Sequence, residues 1–203
     1  SDAVTFSGSG TFADANVGTG KTVTGALVLA GAQASRYTLT QPSLTADITA
    51  KNLTISGLTG NNKAYDATTT ASLSGTATLS GIIAPDVVSV SGSPSSVFAT
   101  SSIGTGIAIT VTGYSLSGAA AGNYSVTQPT GLTADITAVA LTISGLTGNN
   151  KVYDRNTTAT LSGTPSLVGV LAADVANVIL GGSPSSSFAT AIVGTAKALS
   201  LIH

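Results

Sequence analysis

Cysteine, methionine, tryptophan and glutamate are all missing from the 203 residues. Without cysteine there are no disulfides, no thiolate metal sites and no cysteine nucleophile. All eight acids are aspartate, and only 7% of residues are charged, against about 25% in an ordinary globular protein. A net charge of -1 leaves no basic footprint for nucleic acid and no basic patch for a membrane surface. Mean hydropathy is +0.43, yet no apolar run approaches the roughly 18 residues of a spanning helix. The longest, such as Ala26-Leu-Val-Leu-Ala30, have the length of buried strands, so no membrane insertion is expected of this segment. Ser1-Asp2 opens no basic, apolar leader, which places any targeting signal outside this stretch.

Small residues fill the space. Gly, Ala, Ser and Thr make up more than half of the chain, and long-chained helix formers are scarce while Thr, Val and Ile are plentiful, which favours strands. One sequence is stated twice: Thr59-Gly-Asn-Asn-Lys-Ala-Tyr-Asp-Ala-Thr-Thr-Thr-Ala-Ser-Leu-Ser-Gly75 and Thr147-Gly-Asn-Asn-Lys-Val-Tyr-Asp-Arg-Asn-Thr-Thr-Ala-Thr-Leu-Ser-Gly163. Tyr65 and Tyr153 stand 88 positions apart, as do Leu53 and Leu141. That period is the length of a small domain and too long for a solenoid coil. Residues 1–50 correspond to the C-terminal part of one repeat, 51–138 to a complete repeat, and 139–203 to the N-terminal part of a further one. The last copy carries two extra residues near 177–180, as a loop or bulge would.

Within the complete copy apolar residues alternate at Leu53 and Ile55, at Val88 and Val90, at Ile107, Ile109 and Val111, at Tyr124 and Val126, and at Leu132, Ala134 and Ile136. Period two over short runs marks half-buried strands. Gly-Asn-Asn, Ser-Gly-Ser-Pro, Gly-Thr-Gly and Ala-Gly-Asn between them supply turn chemistry. Seven or eight short strands in 88 residues predict an all-β fold of tandem immunoglobulin-like antiparallel β-sandwich domains. Tyr124 and Tyr37, each opening a late strand after a turn, fit a tyrosine corner whose hydroxyl bonds upstream backbone. The joint Asp135-Ile-Thr-Ala-Val-Ala-Leu-Thr-Ile143 has neither Gly nor Pro, so successive units should abut with little hinge freedom.

Lys63-Ala-Tyr-Asp66 with its threonine run, Lys151-Val-Tyr-Asp-Arg-Asn-Thr-Thr158, Gly122-Asn-Tyr-Ser-Val-Thr-Gln-Pro129 and Thr133-Ala-Asp-Ile-Thr137 together resemble the YDG repeat family of bacterial filamentous-haemagglutinin-type surface adhesins. The namesake glycine is replaced by Ala67 in one copy and Arg155 in the other. The resemblance implies a secreted or surface-anchored bacterial protein in which such repeats form long extracellular arrays, and it brings no catalytic residue.

The residues themselves give no chemistry either. No catalytic, cofactor-binding or metal-ligating residue stands out, so no enzyme activity and no cofactor are expected. The only histidine is His203, at the chain end. Asp66 and Asp154 read as turn caps that bond nearby amides. Gly18-Thr-Gly-Lys21 lacks the spacing and the helix of a phosphate loop. An isopeptide cross-link from Lys63 or Lys151 needs a buried neutral lysine beside a buried carboxyl group, whereas a solvated turn lysine is the expectation. Asn52, Asn123 and Asn156 sit in glycosylation triplets that arise by chance in so Ser- and Thr-rich a chain. The reading is a structural repeat module of a stiff extracellular stalk or fibre, partnered by neighbouring repeats or identical chains. The alternatives are a module that binds carbohydrate or a host surface, and a fibre subunit assembling by strand donation between chains.

Overall fold

The computed structural model describes residues 5–182 and 184–202. About half of its described residues are strand and most of the rest turn, bend or irregular chain, with two short 3-10 turns at Ala34–Arg36 and Ala121–Asn123. In the first partial repeat the strands are β1 (Thr5–Ser7), β2 (Gly10–Phe12), β3 (Gly18–Gly25), β4 (Val28–Ala30) and β5 (Ser43–Ile48). The complete repeat carries β6 (Lys51–Gly60), β7 (Lys63–Ala64), β8 (Leu73–Ser80), β9 (Ser89–Phe98), β10 (Gly104–Ser117), β11 (Tyr124–Thr127) and β12 (Leu132–Thr137). The last partial repeat has β13 (Thr142–Gly148), β14 (Leu161–Val168), β15 (Ser185–Phe188) and β16 (Leu199–Ile202). The expected all-β class is the one observed. The extra residues near 177–180 follow a run of turn in which the amides of Asn177 and Val178 both reach the carbonyl of Asp174.

Contacts divide the chain into two compact units. The first takes residues up to Asn61 with 70–99 and 108–133. It holds the ladders β1-β4 and β2-β3-β5 and the sheet β11-β6-β8. Leu53, Val88 and Tyr124 are buried together there, with Leu79, Leu116 and Ala120 packed on them. Strands of two sheets thus supply one apolar cluster, and the alternation seen in the sequence is the inward face. Leu53 (0% exposed) and Ile55 (9%) point in, as do Ile109 (4%) and Val111 (2%).

The second unit takes 62–69, 100–107 and the chain from Ala134 onward. It holds β13-β14 and β15-β16, and β7 beside the end of β12. The strand order of the four-stranded sheet in the complete repeat is β7-β12-β10-β9. Two pairings differ from the all-antiparallel expectation: β11 runs parallel to β6, and β12 parallel to β7. Alternation fixes which face of a strand is buried, not which neighbour it pairs with, so the sequence pattern carried no sign of this.

The two β-hairpin-like ladders β6-β8 and β13-β14 repeat each other residue for residue. Ile55 faces Leu79 and Leu58 faces Gly75, with a register shift between Ser56 and Leu58; 88 positions on, Ile143 faces Leu167 and Leu146 faces Gly163, with the shift between Ser144 and Leu146. The bulges need glycine. Gly57 and Gly75 have φ of +85° and +97°, Gly145 and Gly163 of +82° and +98°, and a Cβ on Gly75 would run into the carbonyl oxygen of Gly57. Only glycine tolerates both the φ and the approach.

Candidate functional site

The repeated Lys-x-Tyr-Asp turn is the natural place to look for chemistry, and it is closed on itself. The Asp66 Oδ1 accepts from the Lys63 ammonium at 2.7 Å, from the Thr68 amide at 2.9 Å and from the Thr68 hydroxyl at 2.9 Å. This is an Asx-type turn, and the expectation of a turn-capping aspartate is met. The Lys63 ammonium, with the Thr68 amide and hydroxyl behind it, holds the Asp66 carboxyl down at about 2. In the last repeat Lys151 meets Asp154 at 2.7 Å, and the Asn156 amide donates to Asp154 Oδ1 at 3.0 Å. Lys151 first, then that amide, lowers the Asp154 carboxyl below the ordinary range.

At the namesake-glycine positions Ala67 and Arg155 have φ of +64° and +67°. The left-handed turn is therefore kept although glycine is not. A side chain there crowds its own backbone where glycine would not.

For an isopeptide bond the arrangement is wrong in charge. The acid side chains are about half exposed (Asp66 48%, Asp154 47%), and an ammonium bonded to an ionised carboxylate has no lone pair to attack with. Among the described residues no group of three or more His, Asp or Glu side chains converges as a metal site would. His203 lies outside the described residues. Gly18-Thr-Gly-Lys21 is part of strand β3, and Lys21 is paired with Asp14, which lowers the Asp14 carboxyl. The three glycosylation-type asparagines have their amide nitrogens engaged: Asn52 with the Thr127 hydroxyl, Asn123 with Asn16, and Asn156 with Asp154.

The remaining aspartates are also in use. Asp47 Oδ1 accepts the Gly20 amide and Asp135 Oδ1 the Gly106 amide, each at 2.8 Å, so the Thr-Ala-Asp-Ile segment fastens the Gly-Thr-Gly stretch, which opens β3 and β10 and is not the turn expected between strands. Asp86 Oδ2 accepts the Tyr124 hydroxyl at 2.6 Å, and that hydroxyl accepts the Ile83 amide at 3.1 Å. The expected tyrosine corner reaches upstream backbone, with a carboxylate in addition; Asp86 raises the Tyr124 phenol above its usual value. Asp174 Oδ1 takes the hydroxyl of Tyr65 at 3.3 Å, which raises that phenol too. Asp2 lies outside the described residues, and each of the other seven aspartates is bonded within the fold.

Sequence reasoning missed several of these bonds because their partners are far apart in the chain. Gln128 donates to the Tyr114 carbonyl at 2.9 Å and accepts its amide at 3.0 Å. Gln41 does the same for Leu27 at 2.7 and 3.1 Å. The recurrence of Gln-Pro after each corner tyrosine was the available signal. Asn123 accepts the Val17 amide at 2.9 Å, joining the first partial repeat to the complete one within the first unit.

In the second unit a hollow of about 400 Å³ is lined by Tyr65, Ile103, Val139, Leu141, Leu171 and Asp174, among others. A second, of about 700 Å³, is lined by Ile143, Leu146, Ala159, Leu161, Leu180 and Leu201 and others. Both are predominantly apolar. Among the described residues no helix is long and apolar enough to cross a membrane.

Compared with known families, the chain matches the YDG domain over residues 1–45, 49–131 and 137–203. No curated protein and no solved structure matches it.

Proposed function

We propose, from the premise that the chain belongs to the YDG domain family, that it is a structural repeat module. In this reading it is part of a stiff extracellular stalk or fibre on a bacterial surface or secreted from it, built of immunoglobulin-like sandwiches. The observation that carries the reading is the fate of the carboxylates. In an enzyme or a metal site some acids are held poised for a ligand; here all seven described aspartates hold turns, corners or a neighbouring repeat. A chain that spends its few charges on its own backbone is organised to keep a shape. Hydrogen bonds cross the joints between successive repeats, Asn123 to Val17 at one and Tyr65 to Asp174 at the other, which supports a restricted hinge.

Small-angle scattering of the chain in solution tests the mechanical half of the reading. A compact chain of 203 residues has a radius of gyration of about 17 Å. A stacked array gives a clearly larger value and a long-tailed distance distribution; a value near 17 Å defeats the proposal. Antibody labelling of intact, unpermeabilised cells tests the location.

A further inference from the structure

We propose that Tyr65 and Asp174 form the bond that seats one repeat on the next. The proposal rests on the tandem-array reading and adds to it the residue pair that sets the joint.

Asp86 and Asp174 are the same position, 88 apart. They sit in the same turn, for the amide of each donates to the carbonyl three residues earlier, Ile83 or Leu171, at 2.9 Å. Yet they meet different tyrosines. Asp86 gives Oδ2 to Tyr124 of its own repeat; Asp174 gives Oδ1 to Tyr65 of the preceding repeat. The Tyr65 backbone is fixed on its own repeat, its amide donating to Thr137 at 2.8 Å, next to the parallel pairing of β7 with β12. Its ring therefore projects from an anchored edge, among Ile103, Val139 and Leu171, and its hydroxyl finds the carboxylate. The namesake tyrosine is thus a positioning residue of the joint. Tyr153, the equivalent tyrosine, is 58% exposed and provides an internal control.

Hydrogen exchange read by mass spectrometry on the full chain tests this, with Tyr65→Phe, Asp174→Asn, the double variant and Tyr153→Phe as control. Tyr65→Phe keeps the ring and Asp174→Asn the shape, so folding survives. Each single change should speed exchange across residues 170–176 about fivefold, the size of one hydrogen bond to a charged acceptor discounted for partial exposure. The double variant should be no faster than either single one, and Tyr153→Phe should leave the segment unchanged. Ultraviolet titration provides a second readout: the Tyr65 phenol should ionise above its usual value in the wild type and fall back towards it in Asp174→Asn. Wild-type exchange in Tyr65→Phe, or effects that multiply in the double variant, overturn the joint bond. Scattering in the compact range together with the expected exchange pattern would sink the array reading alone.

Discussion

Leu53 and Leu141 are the same residue of the same repeat, as are Ile55 and Ile143. Leu53 and Ile55 are 0% and 9% exposed, Leu141 and Ile143 38% and 46%. Their strands pair with identical register, down to the bulge. What differs lies elsewhere: β6 also has β11 along its other edge, with Tyr124, Leu116 and Val88 over Leu53, while among the described residues β13 pairs with β14. The pair separates two physical layers. Local sequence is enough to set a ladder, its bulge glycines and its turns; burial needs strands from 60 to 80 residues further along the repeat. Most of the hydrophobic stabilisation sits in that second layer.

The largest effect that could break this comparison is truncation of the paired leucines. Leu53→Ala empties a closed, fully buried site and should cost about 3 kcal/mol, whereas Leu141→Ala, at an exposed position, should cost less than about 1 kcal/mol. Urea unfolding followed by far-ultraviolet circular dichroism measures both. Equal losses would mean that the last repeat buries its leucine in solution as deeply as the complete one.

Next comes the corner. Tyr124→Phe removes the donor to Asp86 and the acceptor for the Ile83 amide, leaving that amide without its side-chain partner. The melting temperature should fall by a few degrees, and Tyr153→Phe should not move it. An unchanged midpoint for Tyr124→Phe would mean that ring packing alone holds the corner.

How far these sites could be read in advance follows from range. The inward residues Leu53, Ile55, Ile109, Val111, Ala134 and Ile136 were visible because period-two alternation is a property of neighbours in sequence. The Asp66 cap was visible for the same reason, its partners being Lys63 and Thr68. The corner hydroxyl was foreseen from the placement of Tyr124 after a turn, but not Asp86, 38 residues away. Nothing local to Tyr65 tells that its partner stands 109 residues downstream in the next repeat. Parallel pairing of β11 with β6 was hidden likewise, because an alternating strand reads the same in either direction.

A smaller and opposite effect is expected at the namesake positions. Ala67 and Arg155 hold φ of +64° and +67°, a region where a side chain crowds its own backbone and glycine does not. Ala67→Gly and Arg155→Gly should each stabilise by about 0.5–1 kcal/mol, the relief of strain being partly offset by the greater freedom of unfolded glycine. The turn is local, so the gain should be alike in the complete and the last repeat. A gain in one copy only would show that the turn depends on the strands that close the repeat.

The smallest effect is the response of the two turn carboxylates to acid, and it sharpens the same contrast. Lys63 and the Thr68 amide and hydroxyl keep Asp66 at about 2, and Lys151 with the Asn156 amide keeps Asp154 below its usual range; an unfolded aspartate titrates near about 3.9. Both shifts are downward, so the unfolded chain binds more protons in this window and stability rises with pH across it. The contribution is complete above about pH 4 and fades as the pH falls towards 2, through the folded value of Asp66. Each carboxylate is about half exposed, so the loss is modest and weakens further in salt. Carboxyl-carbon shifts followed by nuclear magnetic resonance should show both aspartates titrating late, since both turns close within six residues and neither waits for β11 or β12. If Asp154 titrates at the ordinary value while Asp66 stays low, the turn needs a closed repeat around it, and the division between local ladder and distant burial is drawn in the wrong place.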